Sequence, residues 1–266
     1  MILSANVKRL LAGLTVLILV LIYLPLILVV FNSFNTNQTM TWPPDGLTFD
    51  WWERAWNSQG ARDAVMTSVR VAAMSTVVAL VLGTLLAMAL QRFDFFGKSS
   101  VNLLVILPIA LPGIVTGIAL HNAFKGILNL DLTLMTVVIA HSTFCIVTVF
   151  NNVQARLRRM GGNLEEASAD LGAGLWTTFR LVSFPQLRSA LLAGGLLAFA
   201  LSFDEIIVTT FTAGSGVTTL PIWILNNMFR PAQAPVVNVV AVVMILLSII
   251  PIWIAQRLSG DTEGAR

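Results

Sequence analysis

Charged residues are scarce in this chain. They make up 11% of its 266 residues, whereas a soluble domain carries about 25%, and 56% of the residues are hydrophobic. A chain with so few charges cannot cover a folded body of this size with a water-facing surface. We therefore expect most of the chain to lie within a membrane.

The residues and motifs that carry enzyme chemistry are also few. Cys145 is the single cysteine, so no intrachain disulfide can form and no redox role is indicated. The two histidines, His121 and His141, are isolated, and no cluster of His, Cys and Asp has metal-ligand spacing. No sequence of the form G-x-x-x-x-G-K-[ST] occurs, so the chain lacks that ATP-binding loop. These absences predict a chain without catalysis, without a metal and without a directly bound cofactor.

Long apolar stretches are what the sequence does contain. About 20 helical residues are needed to cross the hydrocarbon layer. The first stretch follows Lys8 and Arg9 as a secretion signal would, but it is too long for one and no small-residue cleavage pattern follows it, so we interpret it as a retained anchor. The sequence predicts an all-α integral membrane protein, a single transmembrane domain over residues 1–266. Its six predicted spans are 10–31, 65–90, 101–120, 132–150, 190–212 and 236–256.

The basic residues are distributed unequally between the loops. Eleven of the 16 lysines and arginines flank the spans on one side, four lie on the other side, and Arg70 lies inside the second predicted span. Cytoplasmic loops carry such an excess, which places both termini in the cytoplasm. Residues 91–100 and 151–188 then face inward, and 32–62, 121–131 and 213–235 face outward. The net charge of +3 therefore reflects topology rather than nucleic-acid binding.

The third predicted span contains two prolines followed by a glycine: Pro108, Pro112 and Gly113. Proline removes a backbone donor and kinks a helix, and membrane helices tolerate this where neighbours or a water-lined cavity satisfy the freed carbonyls. One interpretation is a gating kink in a helix that lines a pathway. The alternative is a static kink with glycine for close packing.

The inward loop 151–188 is long for a connection between membrane helices. Asn163 followed by Glu166 indicates a capping box at a helix start. Leu164, Ala167 and Leu171 would form one apolar stripe, and Gly172 stands where a left-handed C-cap is expected. The loop is therefore predicted to hold a short amphipathic helix that a cytoplasmic partner can bind.

The fifth predicted span contains two acidic residues, Asp204 and Glu205. A charge at the membrane centre costs about 2.5–3.5 kcal/mol, so such residues face a bundle interior or a watery path. In a continuous helix Glu205 shares a polar stripe with Ser202 and Thr209, which predicts a substrate pathway. Asp204 is either a second cation ligand or the ion-pair partner of Arg70, and a purely structural ion pair is the alternative to a pathway.

The inward loop resembles a known family. Glu166-Ala167-Ser168, Gly172 and Val182-x-Phe184-Pro185 are similar to the "EAA…G…I-LP" signature of permeases in binding-protein-dependent ABC importers, with Ser, Val and Phe as mild departures. The resemblance extends over residues 60–256 and includes Leu107-Pro108-x-x-x-Pro112-Gly113. It implies the type I ABC importer permease fold, and a coupling helix that docks on an ATPase subunit. The implied coupling residues are Glu165, Glu166, Ala167, Ser168, Gly172 and Pro185.

The same resemblance implies partners and a location. The partners are a homologous second permease, two ATP-binding cassette ATPase subunits that bind ATP and Mg, an extracytoplasmic solute-binding protein and the lipid bilayer. The location is the bacterial cytoplasmic (inner) membrane, with several passes. ATP hydrolysis would then belong to the partner subunits and not to this chain.

A second resemblance concerns the solute. Ser202-Phe203-Asp204-Glu205 and the run from Gly214 to Pro221 resemble the spermidine/putrescine branch of the family, which implies a small organic polycation as substrate. Importers of other amines and amino-acid-like solutes are alternatives within the family. A secondary transporter driven by an ion gradient is the alternative from another class, but the chain shows no pair of corresponding broken halves and such a protein has no need of the inward helix.

Overall fold

The computed structural model describes residues 4–38, 43–160 and 163–260. These residues are mostly helical, and the described part of the chain contains no strand, only an isolated antiparallel bridge between Asn35 and Leu47. The chain divides into two compact units. One unit comprises 1–62 and 224–266, and the other comprises 63–223.

Several helices are long and apolar enough to cross a membrane. Four of them qualify singly: Asn6–Asn32, Gln59–Arg92, Leu134–Met160 and Leu175–Phe203. A fifth span is possible if the bent pair Lys98–Ala110 and Gly113–Ile127 is counted as one. The last helix, Ala234–Gly260, covers the sixth predicted span, and its side chains are described as far as Leu247, where Ala234–Leu247 is apolar. The described residues thus confirm a mostly helical fold without strands and with several membrane-length helices.

The first unit contains α1 (Ala5–Asn32), α2 (Asp50–Asn57) and α12 (Ala234–Gly260), and α12 packs against both α1 and α2. The segment between α1 and α2 is folded on itself, since the Trp51 indole Nε1–H donates to the Asn35 carbonyl oxygen at 2.8 Å and the Phe34 ring stacks on Trp52 with centroids 5.2 Å apart. Along α1, by contrast, almost every apolar side chain is exposed, so this helix offers its surface to lipid or to another subunit.

The second unit holds the remaining helices and two π-helical segments. Of α3, residues from Asp63 onward belong to this unit, and of α11, residues up to Trp223. The elements are α3 (Gln59–Arg92), α4 (Lys98–Ala110), α5 (Gly113–Asn122), the π segment Ala123–Ile127, α6 (Leu134–Met160), α7 (Asn163–Asp170), α8 (Leu175–Thr178), the π segment Phe179–Ser183, α9 (Phe184–Phe203), α10 (Ile207–Thr212) and α11 (Leu220–Asn227).

Helix α6 is the centre of the second unit, and its closest partner is α9. Phe150 on α6 and Leu187 on α9 are fully buried in the core. Small residues allow α3 to approach α6 closely, because a Cβ at Gly83 would lie 2.9 Å from the Ile146 carbonyl oxygen. Such close backbone approach is how membrane helices gain packing energy without a hydrophobic driving force between them.

The third predicted span is not a kinked helix as predicted, but two helices, α4 and α5, bent by 106°. The residue before a proline is pushed away from helical angles. Accordingly Leu111 is extended (φ −81°, ψ 144°), and so is Pro112 (φ −56°, ψ 133°). Pro108 is accommodated inside α4, and Gly113 begins α5. The two consecutive extended residues, Leu111 and Pro112, therefore bend the chain much more than the proline kink of a continuous helix would.

The fifth predicted span, 190–212, is also wrong as a continuous helix. Helix α9 ends at Phe203, and α10 begins at Ile207. Asp204, the C-cap of α9, has φ −93° and ψ 5°, outside the helical region. The acidic pair Asp204 and Glu205 thus lies at a break between two helices, so the polar stripe predicted from helical spacing does not run through it.

Candidate functional site

The predicted amphipathic helix of the inward loop is present as α7, Asn163–Asp170. It ends as predicted, because Gly172 has φ +78°. The Gly172 N–H donates to the Ala169 carbonyl oxygen at 2.8 Å, and the Ala173 N–H donates to the Ser168 carbonyl oxygen at 3.1 Å. A left-handed residue that pairs with the last carbonyls in this way ends a helix sharply, and glycine adopts it without strain.

One face of α7 is fastened to the rest of the unit through Glu165. The Arg92 guanidinium at the end of α3 lies 3.0 Å from Glu165 Oε2, and the Ser183 hydroxyl donates to Glu165 Oε1 at 2.5 Å. The hydroxyls of Ser168 and Thr178 are 2.9 Å apart and share a hydrogen bond. Arg92, Ser183 and Thr178 were not predicted, because nothing in the local sequence pairs them with α7.

The other face of α7 is exposed. Glu166 and Ala167 have exposed side chains, and the apolar residues that follow are strongly exposed: Leu171 (89%), Leu175 (75%) and Trp176 (71%). Pro185 lies in the first turn of α9 and is also exposed. The two neighbouring glutamates therefore differ: Glu165 attaches α7 to Arg92 and Ser183, whereas Glu166 is exposed and free to contact a partner. An exposed apolar surface of this kind is typical of an interaction site.

This difference between the glutamates gives a testable prediction. Glu165→Ala should loosen α7 by about 1 kcal/mol, a value reduced because the Arg92–Glu165 pair is partly exposed. Amide hydrogen exchange in α7 of the purified permease should then accelerate about fivefold. Arg92→Ala should have a similar effect, and the double variant should be no worse than either single one. Glu166→Ala is the matched control and should leave α7 exchange unchanged; equal acceleration in all variants would contradict the assignment.

Glu205 caps the helix that follows the break. Its Oε1 accepts the Val208 N–H at 2.8 Å, and its backbone carbonyl accepts the Thr209 hydroxyl at 2.9 Å. A carboxylate at this position also interacts favourably with the helix dipole. Glu205 is half-buried and Asp204 is exposed. In the part of the chain whose side chains are described, no ion pair includes Asp204, Glu205 or Arg70. The Arg70–Asp204 pair, one of the two alternatives for Asp204, therefore does not form in this structure.

Ser202 and Thr209 are buried on either side of the break, 3% and 0% exposed. Both contact His141 of α6, which is fully buried: Nδ1 is 2.8 Å from the Ser202 hydroxyl and Nε2 is 2.9 Å from the Thr209 hydroxyl. Of the predicted pathway residues, only Asp204 and Glu205 reach the surface of this chain. No partner of His141 was predicted, because a lone histidine in an apolar span carries no local signal of what it contacts.

The two broken spans pack against each other through their second halves, α5 and α10. A Cβ at Gly113 would lie 3.6 Å from Ile207, and a Cβ at Gly117 would lie 2.7 Å from the Phe211 ring. His121 Nδ1 lies 2.8 Å from the Phe211 carbonyl oxygen. Residues later in α5 contact residues later in α10, so the two helices run in the same direction. The breaks that precede them therefore lie side by side. The bend at Pro112 and Gly113 thus lies beside the break that carries the acidic pair, whereas Pro108 lies within α4, before the bend.

Two further carboxylates lie in the loops, away from these features. The Lys125 ammonium hydrogen-bonds to Asp131 and holds the pKa of that carboxyl below its usual range, and Lys98 does the same for Asp94. Both carboxylates are fully exposed, and surface pairs of this kind contribute little to stability. Within the described residues, no three His, Cys, Asp or Glu side chains come together as a metal site.

Membrane-length helices, two spans broken side by side and a short, partly exposed helix fastened to α3 are the architecture of a membrane transport protein. The chain belongs to the family of binding-protein-dependent transport system inner membrane components, whose pattern matches residues 79–263. That match includes both broken spans and α7.

Three relatives align with almost the whole chain. The spermidine/putrescine transport system permease protein PotC of Haemophilus influenzae is 31% identical over 90% of this chain and 91% of its own length. The putrescine transport system permease protein PotI of Escherichia coli K12 is 31% identical over 92% and 89%. A putative 2-aminoethylphosphonate transport system permease protein, PhnV of Salmonella choleraesuis, is 28% identical over 91% and 94%.

The fold also matches a solved structure. The crystal structure of a bacterial ABC transporter involved in the import of the acidic polysaccharide alginate superimposes with a TM-score of 0.75, covering 97% of this chain and 99% of that one. Only 15% of the residues are identical, so the match concerns the fold alone.

Proposed function

We propose that this chain is one transmembrane permease subunit of an ATP-driven importer for a small organic polycation, with putrescine and spermidine as its solutes. The observation that carries the proposal is the 31% identity, over about nine-tenths of the chain, to permeases named for spermidine and putrescine. The alginate transporter has the same fold at 15% identity and handles an acidic polymer. The fold alone therefore does not select the sign of the solute charge, and particular residues must do so.

Asp204 and Glu205 are the residues that we assign to this selection. They lie at the break between α9 and α10, and no described ion pair neutralises either one. Attraction between opposite charges grows as the dielectric falls, so two carboxylates at membrane depth attract ammonium groups more strongly than surface carboxylates do. Pro112 and Gly113 at the neighbouring bend, together with Pro108 within α4, would let this region change shape as a solute passes.

We further propose the assembly in which the chain works. It spans the bacterial inner membrane six times with both termini in the cytoplasm, beside a homologous permease that covers part of the exposed α1. One of the two ATPase subunits binds the exposed face of α7 through Glu166, Ala167, Leu171 and Trp176. The two ATPase subunits together supply the ATP hydrolysis that this chain does not perform. A solute-binding protein delivers the polyamine from the outer side.

Solute competition tests the proposed substrate class. Cells that express the complete importer should take up labelled putrescine, and excess spermidine should suppress that uptake. Excess 2-aminoethylphosphonate, the solute in the name of the 28% identical relative, should not suppress it, because carboxylates at the break repel a phosphonate. Suppression by the phosphonate and not by spermidine would contradict a polyamine substrate and indicate an aminophosphonate instead.

The proposed orientation can be tested by labelling. In a Cys145→Ala background, cysteines at Asn57 and Ser215, both exposed, should react with an impermeant thiol reagent added to intact cells. A cysteine at the exposed Thr177, just beyond α7, should react only after the membrane is opened. The reverse pattern would overturn the orientation and every partner placed by it.

A further inference from the structure

The break in the fifth span is unusual because no proline or glycine causes it. The residues around it are Ser202-Phe203-Asp204-Glu205-Ile206, and each could continue a helix. A break within a membrane helix frees backbone groups that must find other partners. The neighbouring α6 supplies a bridge, since the His141 ring contacts Ser202 before the break and Thr209 after it.

The partners of the His141 ring favour one of its nitrogens as the site of the proton. The Thr209 hydroxyl has one hydrogen and donates it to the Glu205 carbonyl oxygen at 2.9 Å. With that hydrogen on the carbonyl, the hydroxyl accepts from His141, and this arrangement assigns a hydrogen to Nε2. In a neutral imidazole Nδ1 is then an acceptor, and the Ser202 hydroxyl donates to it. Each group then has a partner: the Ser202 hydroxyl donates to His141 Nδ1, His141 Nε2–H donates to the Thr209 hydroxyl, and that hydroxyl donates to the Glu205 carbonyl oxygen.

We propose that His141, neutral and protonated at Nε2, is a positioning residue that holds the break of the fifth span and thereby the carboxylate of Glu205. The inference deepens the proposed function and rests on it, because it gives Glu205 the task of meeting the solute. His141 itself is fully buried and does not contact the solute. It acts through Thr209, whose hydroxyl holds the carbonyl of the residue that carries the carboxylate.

The second histidine of the chain provides an internal contrast. His121 Nδ1 lies 2.8 Å from the Phe211 carbonyl oxygen, which can only accept, so its Nδ1 carries the hydrogen. The chain should therefore contain two histidines with opposite protonation sites. This difference can be read by spectroscopy without any knowledge of the solute.

The first test is nitrogen NMR of the intact complex in lipid, with only this chain labelled at its histidine rings. Two rings with different protonation sites are expected, and His121→Gln should remove the one that carries its hydrogen at Nδ1. The remaining signal, from His141, should show its directly bonded hydrogen at Nε2. A His141 ring that is protonated at Nδ1, or at both nitrogens, would overturn the proposed hydrogen-bond chain whatever the solute is.

The second test separates positioning from stability. Thr209→Val should raise the putrescine concentration for half-maximal uptake at least about fivefold while the maximal rate stays within about twofold, and Thr209→Ser, which keeps the hydroxyl, should restore most of the loss. Thr212→Val is the matched control, because Thr212 is equally buried in α10 and its hydroxyl also bonds to the carbonyl four residues before, but it has no histidine partner. Equal effects of Thr209→Val and Thr212→Val would contradict the positioning role.

The same variant in a Glu205→Gln background shows whether Thr209 acts through Glu205. If it does, Thr209→Val should then cause less than about a twofold further loss. A full additional loss would show that Thr209 acts elsewhere and would overturn the proposal. If the unmodified complex takes up no polyamine, the proposed solute is wrong. The NMR result then still decides whether His141 forms the proposed hydrogen bonds across the break.

Discussion

Polyamine uptake should fall at least about tenfold when Glu205 is replaced by glutamine, which corresponds to roughly 1.4 kcal/mol in the affected step. The side chain of glutamine has the same shape, and its carbonyl oxygen can still accept the Val208 N–H that Glu205 Oε1 accepts at 2.8 Å. The substitution therefore keeps the helix cap and removes only the charge. Initial rates of labelled putrescine uptake, in cells with equal amounts of assembled complex, measure the effect.

Asp131→Asn is the control for this experiment. It removes the same single charge from a loop, where Asp131 is paired with Lys125 and fully exposed. Uptake should stay within about twofold of the unmodified complex, because charges in water are screened within about 10 Å at ordinary salt. If Glu205→Gln leaves uptake unchanged, the carboxylate does not meet a cation and the assignment of Glu205 to the pathway fails.

Coupling to ATP hydrolysis should be largely lost when Gly172 is replaced by valine. The backbone at this position has φ +78°, which costs a β-branched residue about 1–3 kcal/mol, although a Cβ there would meet nothing within 4 Å. The expected damage is thus confined to the turn that ends α7, and the permease should still fold and assemble. Solute-stimulated ATPase activity of the purified complex should decrease at least about tenfold, which corresponds to roughly 1.4 kcal/mol.

Gly174→Val provides the matched control. Gly174 lies two residues further on, also has open space around a Cβ, and has φ −70°, which valine adopts without strain. Its ATPase activity should stay close to that of the unmodified complex. Normal stimulation in Gly172→Val, or equal loss in both variants, would mean that the left-handed turn is not what presents α7 to the ATPase.

The inward helix could be predicted from sequence because its signals are local. Asn163 and Gly172 mark its two ends, and the structure has α7 begin at Asn163 and has Gly172 left-handed. Its attachment could not be predicted, since Arg92 and Ser183 are distant in sequence and no local pattern indicates that Glu165, rather than Glu166, pairs with them. Only the packed structure shows which glutamate contacts the arginine.

The two broken spans could likewise be predicted only where the cause of the break is local in sequence. Pro112 allowed a distortion of the third span to be predicted, but the 106° bend arises because Leu111 and Pro112 are both extended. The break at Asp204 has no such marker, because its bridge is a histidine on another helix. A residue that acts through tertiary contacts leaves no periodic pattern, so spacing alone placed Ser202, Glu205 and Thr209 on one face of a helix that does not exist.

Transport by the purified complex in proteoliposomes tests the central claim most directly. The complex should include this chain, its partner permease and the ATPase subunits, with the solute-binding protein and labelled putrescine on the side opposite α7. We expect putrescine to accumulate only when hydrolysable ATP is present on the α7 side, and to do so equally well after proton and sodium gradients are dissipated. Accumulation that needs an ion gradient and proceeds without ATP would contradict the account and identify a secondary transporter instead.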